Sequence, residues 1–393
     1  MKQIPTIKEI FERFSDKIKS ELDIPSNEDL KENLSALGMV ISAELKLLYL
    51  YLQDIQRNVY PQTADYSEYG GQLNRLGAIY LNRPPHPATK GTYIISADVL
   101  PNSSGTIPLG TTFKTEDGND SVYVVESEIN WIVGETTLSF PVTSFGVGSS
   151  NRLLIGDLLY LTSPLSGIDS PFIVSSETQS PVNEESEEDY RRAIINAIQL
   201  EPQGGARADY VLWAQDSAGV RKVYPYIRNG DITILDIFVE AYKDDSVDGR
   251  GTPSAQLINQ TEQVLITDPD TSAYLYERGR KPIQTNLSLK PVVLVPVDIV
   301  ISGLFKETSQ EWASISDFLT NYLYEIRPFL AGAQLIRDKN DILNSARVSN
   351  EVVKAISSDN YFTELKVFVN FQEISNYIFD NGNIPYLNSV SYV

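Results

Sequence analysis

The stretch Arg83-Pro84-Pro85-His86-Pro87 divides the chain into two kinds of sequence pattern. Proline lacks an amide hydrogen and disfavours a helical conformation in the residue before it, so no helix continues through this stretch. Before it, apolar residues recur every three or four positions, as on one face of a helix. After Gly91 they alternate with polar residues, as in strands. The stretch therefore predicts a linker between an N-terminal helical region, residues 1–85, and a β-rich domain, residues 86–185.

The helical region has the pattern of three helices. The first has an apolar face at Ile7, Ile10, Phe11, Phe14 and Ile18 and ends at Pro25. Ser26 and Asp29 resemble a capping box that opens the second helix. The second helix carries an apolar stripe over about eight turns: Leu30, Leu34, Leu37, Ile41, Leu45, Leu48, Leu52, Ile55 and Val59. A third helix is predicted over about Ala64–Tyr80.

The stripe on the second helix has two interpretations, and the sequence leaves both open. A globular helix is usually shorter, so the length of the stripe suggests bundling with partner subunits. In that case Leu34, Ile41, Leu48 and Ile55 form the helix-bundle interface. Alternatively, the helix packs against its flanking helices in a local three-helix bundle.

The pattern of residues 86–185 predicts a small sandwich or barrel-like domain. The predicted strands are Thr92–Val99, Ser121–Glu126, Thr137–Val142 and Leu158–Thr162, separated by turn sequences such as Glu116-Asp117-Gly118-Asn119. This segment holds three basic and twelve acidic residues and is the most acidic part of the chain. A solvated exterior explains that charge.

The sequence pattern predicts two α+β domains, at residues 186–290 and 291–393. Helices are predicted after Ser186, over Ala208–Gln215, from Thr252-Pro253 to about Ile266, over Thr308–Ile326 and over about Asn340–Ala346. Strands are predicted at Val220–Ile227, Asp231–Ala241, Gln284–Ser302, Glu364–Phe371 and Ile384–Val393, and Asn229-Gly230 indicates a hairpin turn. The fold class is therefore α+β multidomain: a helical region, a central all-β domain and C-terminal α+β domains.

Composition excludes several classes of function. The 393 residues include no cysteine and one histidine, His86. This composition excludes thiolate chemistry, Cys-based metal sites, a Ser-His-Asp system away from His86 and a metal site built from several histidines of one chain. A formal net charge of −20 argues against nucleic-acid binding and against an anionic membrane surface. The longest strongly apolar stretch identified, Val292–Val297, is far shorter than the ~20 residues that span a bilayer.

Two stretches resemble the start of a binding site. Asp244, Ser246, Asp248 and Gly249 match the start of a calcium loop, but Ala255 stands where a bidentate acid belongs, so a plain turn is favoured. Gly204-Gly205 precedes a helix and could face an anion, yet it lacks a phosphate-loop context. We therefore predict no catalytic, cofactor-binding or metal-binding residues, and a protein that is not an enzyme and needs no cofactor.

An ordered series of motifs over residues 70 to 393 resembles the baseplate J-like family of contractile phage tails and related injection machines. The matching stretches are Leu73-Asn74-Arg75-Leu76-Gly77, Thr106-Ile107-Pro108-Leu109-Gly110-Thr111, Glu185-Ser186-Glu187-Glu188 with Tyr190-Arg191-Arg192, Gly204-Gly205 to Asp209-Tyr210, Gly251-Thr252-Pro253, Arg280-Lys281-Pro282 and Ile384-Pro385. The chain departs from the family at Pro181-Val182-Asn183, where glycines are usual.

The resemblance implies a structural role without catalysis. Family members are wedge subunits that form a sixfold ring around a central hub and relay the trigger for sheath contraction. Their partners are other wedge proteins and further copies of themselves, with contacts to hub and sheath-initiating proteins, and no nucleic acid or membrane insertion. The expected location is a virion tail baseplate or a phage-tail-like particle assembled in the bacterial cytoplasm.

Two other functions and one further contact are considered. A carbohydrate- or receptor-binding tail adhesin would use Trp131 and tyrosines of the β-rich domain to stack on sugars, and a metal-dependent hydrolase is disfavoured. The segment from Tyr377 to Val393 is apolar, with Asp380 as its one charge, so we expect it to be covered. It either closes its own domain as a final strand or also contacts a neighbouring wedge.

Overall fold

The computed structural model describes residues 4–25, 29–67, 70–115, 121–200, 204–269, 271–305 and 308–392. The predicted cap at Ser26 and the predicted turn at 116–119 lie outside them. The chain divides into two compact units, Met1–Pro84 with Glu187–Ile195, and Pro85–Ser186 with Asn196–Val393. Helices dominate the first unit and sheets the second, so the α+β multidomain fold class is confirmed. The finer division at residues 185 and 290 stays a prediction.

The first unit contains helices α1 (Ile7–Glu21), α2 (Glu32–Val59) and α3 (Gln72–Tyr80) and the start of α4 (Glu187–Gln199). Thr6 caps α1: its hydroxyl accepts from the Glu9 amide at 3.2 Å, while the Glu9 carboxylate accepts from the Thr6 amide at 2.7 Å. Helix α1 packs against α2 at Gly38, where an added Cβ would lie 2.8 Å from the ring of Phe14. A glycine at that position therefore sets how closely the two helices approach.

The third helix begins eight residues later than predicted. Residues 64–66 form a loop instead, because side chains of α2 satisfy their polar groups. The Asp65 amide donates to Asn58 at 2.8 Å, and the Asp65 carboxylate pairs with Arg57 at 2.8 Å. Ala64, the first residue of this loop, packs with Leu73, Tyr190 and Ile194 in the small core of this unit.

The acidic segment folds as a closed barrel. Its strands are β1 (Thr92–Asp98), β2 (Gly105–Ile107), β3 (Thr112–Thr115), β4 (Val122–Val124), β5 (Ile129–Trp131), β6 (Thr137–Ser144), β7 (Leu158–Leu161) and β8 (Phe172–Gln179). The barrel order is β1-β6-β4-β3-β7-β8, and β2 pairs with β5 as a separate ribbon. The rings of Phe113, Phe140 and Phe172 meet inside, with centroids 5.0 to 6.0 Å apart. The four predicted strands are present, and the sequence reading missed β2, β3, β5 and β8.

The next region contains a three-stranded sheet with helices against it. Its elements are α5 (Arg207–Ala214), β9 (Val220–Arg228), β10 (Asp231–Ala241), α6 (Ala255–Ile266) and β11 (Asn286–Pro291). Strands β9 and β10 form the predicted hairpin, with Gly230 at φ 86° in the turn, and β11 adds in parallel to β10. Ser254 caps α6 by accepting from the Leu257 amide at 3.1 Å.

The last region contains a four-stranded sheet covered by two helices. Its elements are β12 (Val293–Ser302), α7 (Ser309–Glu325), β13 (Ile342–Asn344), α8 (Ser345–Ala355), β14 (Glu364–Val369), β15 (Gln372–Ile374), β16 (Asn376–Ile378) and β17 (Asn383–Tyr392). The sheet order is β15-β14-β12-β17, with β12 and β17 parallel. The apolar C-terminal segment thus pairs within its own sheet, and Phe379 and Ile384 are buried.

The helix predicted at Asn340–Ala346 is wrong in position. Residues 342–344 are strand β13, and the helix runs from Ser345 to Ala355. Asn344 is its N-cap, and the Asn344 side chain accepts from the Arg347 amide at 3.0 Å. An N-cap residue lies outside the helix it starts, so Asn344 separates the strand from the helix.

Candidate assembly surface

Helix α2 is apolar on most of its circumference and covered on one side. Gly38 and Ser42 are its buried residues, and they face α1. The Ser42 hydroxyl donates to the Gly38 carbonyl at 2.7 Å, so no polar atom of Ser42 is left unsatisfied in this contact. Lys46 lies near the same side and donates to the Pro5 carbonyl at 3.0 Å. These contacts leave the remaining faces of α2 open.

The structure places the four predicted interface residues on one face of α2. They are seven residues apart, which is close to two helical turns. Leu34 and Ile41 are half-buried, whereas Leu48 and Ile55 are 52% and 45% exposed. Packing against α1 therefore does not cover the second half of the stripe. Docking of partner helices on this stripe stays a prediction.

A second apolar face of α2 was missed by the sequence reading. Its exposed members are Met39, Val40, Leu47, Leu50 and Tyr51. The signal is the run Leu47-Leu48-Tyr49-Leu50-Tyr51-Leu52, six consecutive apolar residues that encircle the helix. A helix that is apolar all round is normally enclosed, in a large core, a bundle or a membrane.

Helix α2 is a longer apolar segment than the stretch that the sequence analysis judged too short to span a bilayer. By length and composition, α2 could cross a membrane, and it is longer than Val292–Val297. Glu44 and Lys46 lie near its middle. A charge at the bilayer centre costs about 2.5–3.5 kcal/mol on insertion scales, so these two residues favour a protein environment over a lipid one.

A cavity of about 450 Å³ lies between the end of α2, residues 62–66 and the start of α4. Its two arginines are already engaged. Arg57 pairs with Asp65 and donates to the Thr63 carbonyl at 3.2 Å. Arg191 donates to the carbonyls of Pro61 and Ala64 and pairs with Glu187 at 2.5 Å. These arginines hold the loop in place and do not form an open anion site.

In the calcium-like loop at residues 244–249, the side-chain oxygens of Asp245, Ser246 and Asp248 take part in hydrogen bonds within the protein. Asp245 is buried and accepts from the Asn183 amide at 3.1 Å, and burial raises the pKa of its carboxyl to about 6. Asp248 accepts from the amides of Arg250 and Thr252, and the Ser246 hydroxyl donates to the Lys243 carbonyl. Among the described residues no group of three or more His, Cys, Asp or Glu side chains could hold a metal ion.

The backbone amides at the glycine pair before α5 are likewise satisfied by a side chain of the protein itself. The amides of Gly205 and Ala206 both donate to Asp209 Oδ2, at 2.5 and 2.9 Å. An anion at this helix start would have to displace that carboxylate. The sequence has no lysine at this position, and in the described part of the chain the preceding element is helix α4.

A buried ion cluster, missed by the sequence reading, joins β9 and β10 to the end of α7. The carboxylate of Glu240, fully buried, accepts from Arg221 at 2.9 Å, Arg327 at 2.6 Å and Tyr224 at 2.5 Å. The guanidinium of Arg221 lies 3.8 Å from the ring centroid of Tyr324. Although burial opposes ionisation, the two arginines lower the pKa of Glu240 to about 2. The cluster thus connects strands and a helix far apart in sequence.

The aromatic side chain invoked for sugar stacking is inside the barrel. Trp131 is buried, and its indole Nε1 donates to the Ser103 hydroxyl at 3.3 Å. Gly105 packs against its ring, where a Cβ would lie 2.4 Å away. Trp131 therefore belongs to the core and offers no stacking surface.

No family profile matches the chain. It is 24% identical over 222 residues to baseplate protein gp47 of Escherichia phage Mu, a match covering 56% of this chain and 58% of that protein. It is 30% identical over 89 residues to the putative protein JayE of Escherichia coli K12, covering 23% of this chain and 34% of that protein. The chain thus spans somewhat more than half the length of the phage Mu protein and about a third of the length of JayE.

Among solved structures, the cryo-EM structure of the anti-feeding prophage baseplate aligns with 95% of this chain and 90% of its own. The identity is 9% and the TM-score 0.41. By sequence, the chain is similar to a phage baseplate protein.

Proposed function

We propose that the chain is a structural subunit of the baseplate of a contractile phage tail or a related injection machine. The observation that carries this proposal is the sequence match over 222 residues to a protein named as a phage baseplate protein. The motif series of residues 70 to 393 supports the finer proposal that it is a J-like wedge subunit. On this proposal the protein is not an enzyme and acts within the tail particle.

In the proposed particle, α2 joins a helix bundle made with other wedge proteins. The exposed apolar faces of α2 support this, because a helix that is apolar all round is normally enclosed by other parts of a protein or by a membrane. The remaining domains link neighbouring wedges into a sixfold ring around the hub. Ring closure requires heterologous contacts between copies. Rotation of domains at those contacts would pass the trigger to the sheath.

Leu48→Asp tests the bundle. Leu48 is half exposed in the free chain, so the substitution leaves the fold intact, yet in a bundle it buries an unpaired charge. We expect the tagged variant to lose co-purification with tail proteins from producing cells, with at least about tenfold weaker association. The matched control is Ile232→Asp, which changes an exposed isoleucine of the β9–β10 hairpin. Unchanged assembly of the Leu48→Asp variant into tail particles would refute the bundle.

A further inference from the structure

The chain contains two Asn-Gly pairs, Asn229-Gly230 and Asn381-Gly382, and both lie in tight turns. Asparagine is one of the thermally labile residues of proteins. Its breakdown begins when the backbone nitrogen of the next residue attacks the side-chain amide, and glycine hinders this attack least because it has no Cβ. The dipeptide is the same at both turns, so a difference in reactivity between them must come from the fold.

The first pair forms the exposed tip of the β9–β10 hairpin. Asn229 and Gly230 are both exposed, and a Cβ on Gly230 would meet no atom within 4 Å. In the described part of the chain, neither the Asn229 side chain nor the Gly230 amide takes part in a hydrogen bond. The attacking nitrogen, the carbon that it attacks and the solvent can therefore meet without displacing another group.

Strand pairing next to this tip is sparse. Strands β9 and β10 pair at Arg228 and Asp231, and the register then shifts before pairing resumes at Leu235. Residues 232–234 therefore have no partner on β9. A segment held by few contacts opens locally at a low cost in free energy. The turn can thus rotate its backbone into the conformation that ring closure needs, while the rest of the hairpin stays paired.

The second pair is held in place by its surroundings. Asn381 and Gly382 have φ values of 49° and 73°, as in a type I′ turn, and a backbone hydrogen bond of 2.8 Å closes that turn. Gly382 is buried, and its carbonyl accepts from the Val293 amide at 2.9 Å. A Cβ on Gly382 would lie 2.2 Å from the ring of Phe238. Ring closure at Asn381 would have to turn a peptide bond against these contacts.

We propose that Asn229 is a site of spontaneous covalent modification in the folded protein, whereas the fold protects Asn381. The Gly230 amide nitrogen forms a bond to Cγ of Asn229, the bond from Cγ to Nδ2 breaks, and ammonia leaves with the proton of the Gly230 amide. The product is a cyclic succinimide. Water then opens the ring. Opening at the side-chain carbonyl gives aspartate, and opening at the main-chain carbonyl gives isoaspartate. Water is the one co-reactant, and nothing is oxidised or reduced.

The modification should alter the turn and leave the hairpin in place. Either product adds a carboxylate at the tip, and isoaspartate also adds a methylene group to the main chain. The neighbouring Arg228 is held by contacts below the turn, since its Nε donates to Asp236 at 3.0 Å and its Nη2 donates to Ser288 at 3.0 Å. We therefore expect a structural change confined to the tip. The inference is independent of the proposed baseplate role, because the reaction needs no partner protein.

Ageing the purified full chain in mildly alkaline buffer tests the proposal, because base removes the amide proton that ring closure must lose. Peptide mapping by mass spectrometry follows the change from amide to carboxylate at both Asn-Gly pairs in the same sample. We expect the peptide with Asn229 to convert many times faster than the peptide with Asn381. Isoaspartate should be among the products, since direct hydrolysis of the side chain would give aspartate alone.

Two controls separate the effect of the fold from that of the sequence. In chain unfolded with urea, the two pairs should react at similar rates, because both are then equally free. Asn229→Gln should slow conversion at this position several-fold in the folded chain, since its longer side chain forms a larger ring. Equal rates at the two pairs in the folded chain, a difference that persists in urea, or products without isoaspartate would overturn the proposal. Such a failure leaves the baseplate role untouched, which the assembly of Leu48→Asp tests separately.

Discussion

Replacing Glu240 by glutamine should destabilise the region of β9, β10 and α7 by about 3 kcal/mol. The substitution keeps the side-chain shape but removes the buried charge that Arg221 and Arg327 share; the two arginines are 5% and 3% exposed. Removing one partner of a buried pair costs about 3–5 kcal/mol, since it leaves an uncompensated charge. Arg221 keeps Glu325 at 3.2 Å, so we expect the lower end of that range.

The pKa of Glu240 gives a second route to the magnitude. It falls from 4.5 to about 2 on folding, and about 1.4 kcal/mol per unit gives about 3 kcal/mol. Because the folded pKa is the lower one, this stabilisation is present above pH 4.5 and is lost as the pH falls toward 2. The difference in stability between the wild type and Glu240→Gln should therefore shrink over that interval.

Hydrogen–deuterium exchange reports this region separately from the rest of the chain. A loss of about 3 kcal/mol corresponds to about 100-fold faster exchange of the most protected amides in β9 and β10. Asp236→Asn is the matched control, because its partners Arg228 and Lys290 are partly exposed and such pairs contribute about 1 kcal/mol or less. Adding Arg327→Met to Glu240→Gln should restore part of the protection. An equal effect of the two single variants would refute the reasoning.

Three further predictions concern other regions. Asp245→Asn should stabilise the protein by about 3 kcal/mol at pH 8, since the folded pKa of Asp245, about 6, exceeds the unfolded value of 3.8. The gain should vanish below pH 4, and urea unfolding at both pH values checks this. Gly77→Ala should lower the melting temperature, because the new Cβ would lie 1.7 Å from the buried Tyr190 hydroxyl, and overpacking costs about 1–3 kcal/mol; an increase would contradict that geometry. A metal chelator should leave the melting temperature unchanged, whereas a drop reversed by calcium would restore the binding interpretation of residues 244–249.

Helices with long periodic patterns could be predicted from the sequence. Helices α1 and α2 repeat their apolar spacing over several turns, so their existence follows from the pattern, although the second apolar face of α2 was overlooked. Strand β8 was missed because Ser175, Ser176, Glu177, Thr178 and Gln179 face away from the core or end the strand, and alternation is visible for only three residues. Short strands such as β3 carry too few residues to show a period.

Contacts between distant residues could not be predicted. Glu240 and Arg327 are 87 residues apart, so no local pattern links them. Strand β10 also carries Asp231 and Asp236, so the sequence does not mark Glu240 as the buried acid that needs a partner. The sequence analysis assigned no element or site to Tyr274 and Tyr276, and only the structure shows that both side chains are exposed. Sequence patterns indicated candidate assembly surfaces on α2 and, as one alternative, at the C-terminal segment, which pairs within its own sheet.

The parallel pairing of β12 and β17 has a consequence for synthesis. About 80 residues separate the end of β12 from the start of β17, and at about 5–20 residues per second the ribosome needs about 4–16 s to deliver them. During that interval β12, with Val295, Val297, Ile299 and Ile301 destined for the core, has no partner on one edge. An unpaired apolar strand edge is a template for pairing with other chains. Nascent chains on one polysome are thus prone to aggregate until β14 and then β17 have emerged.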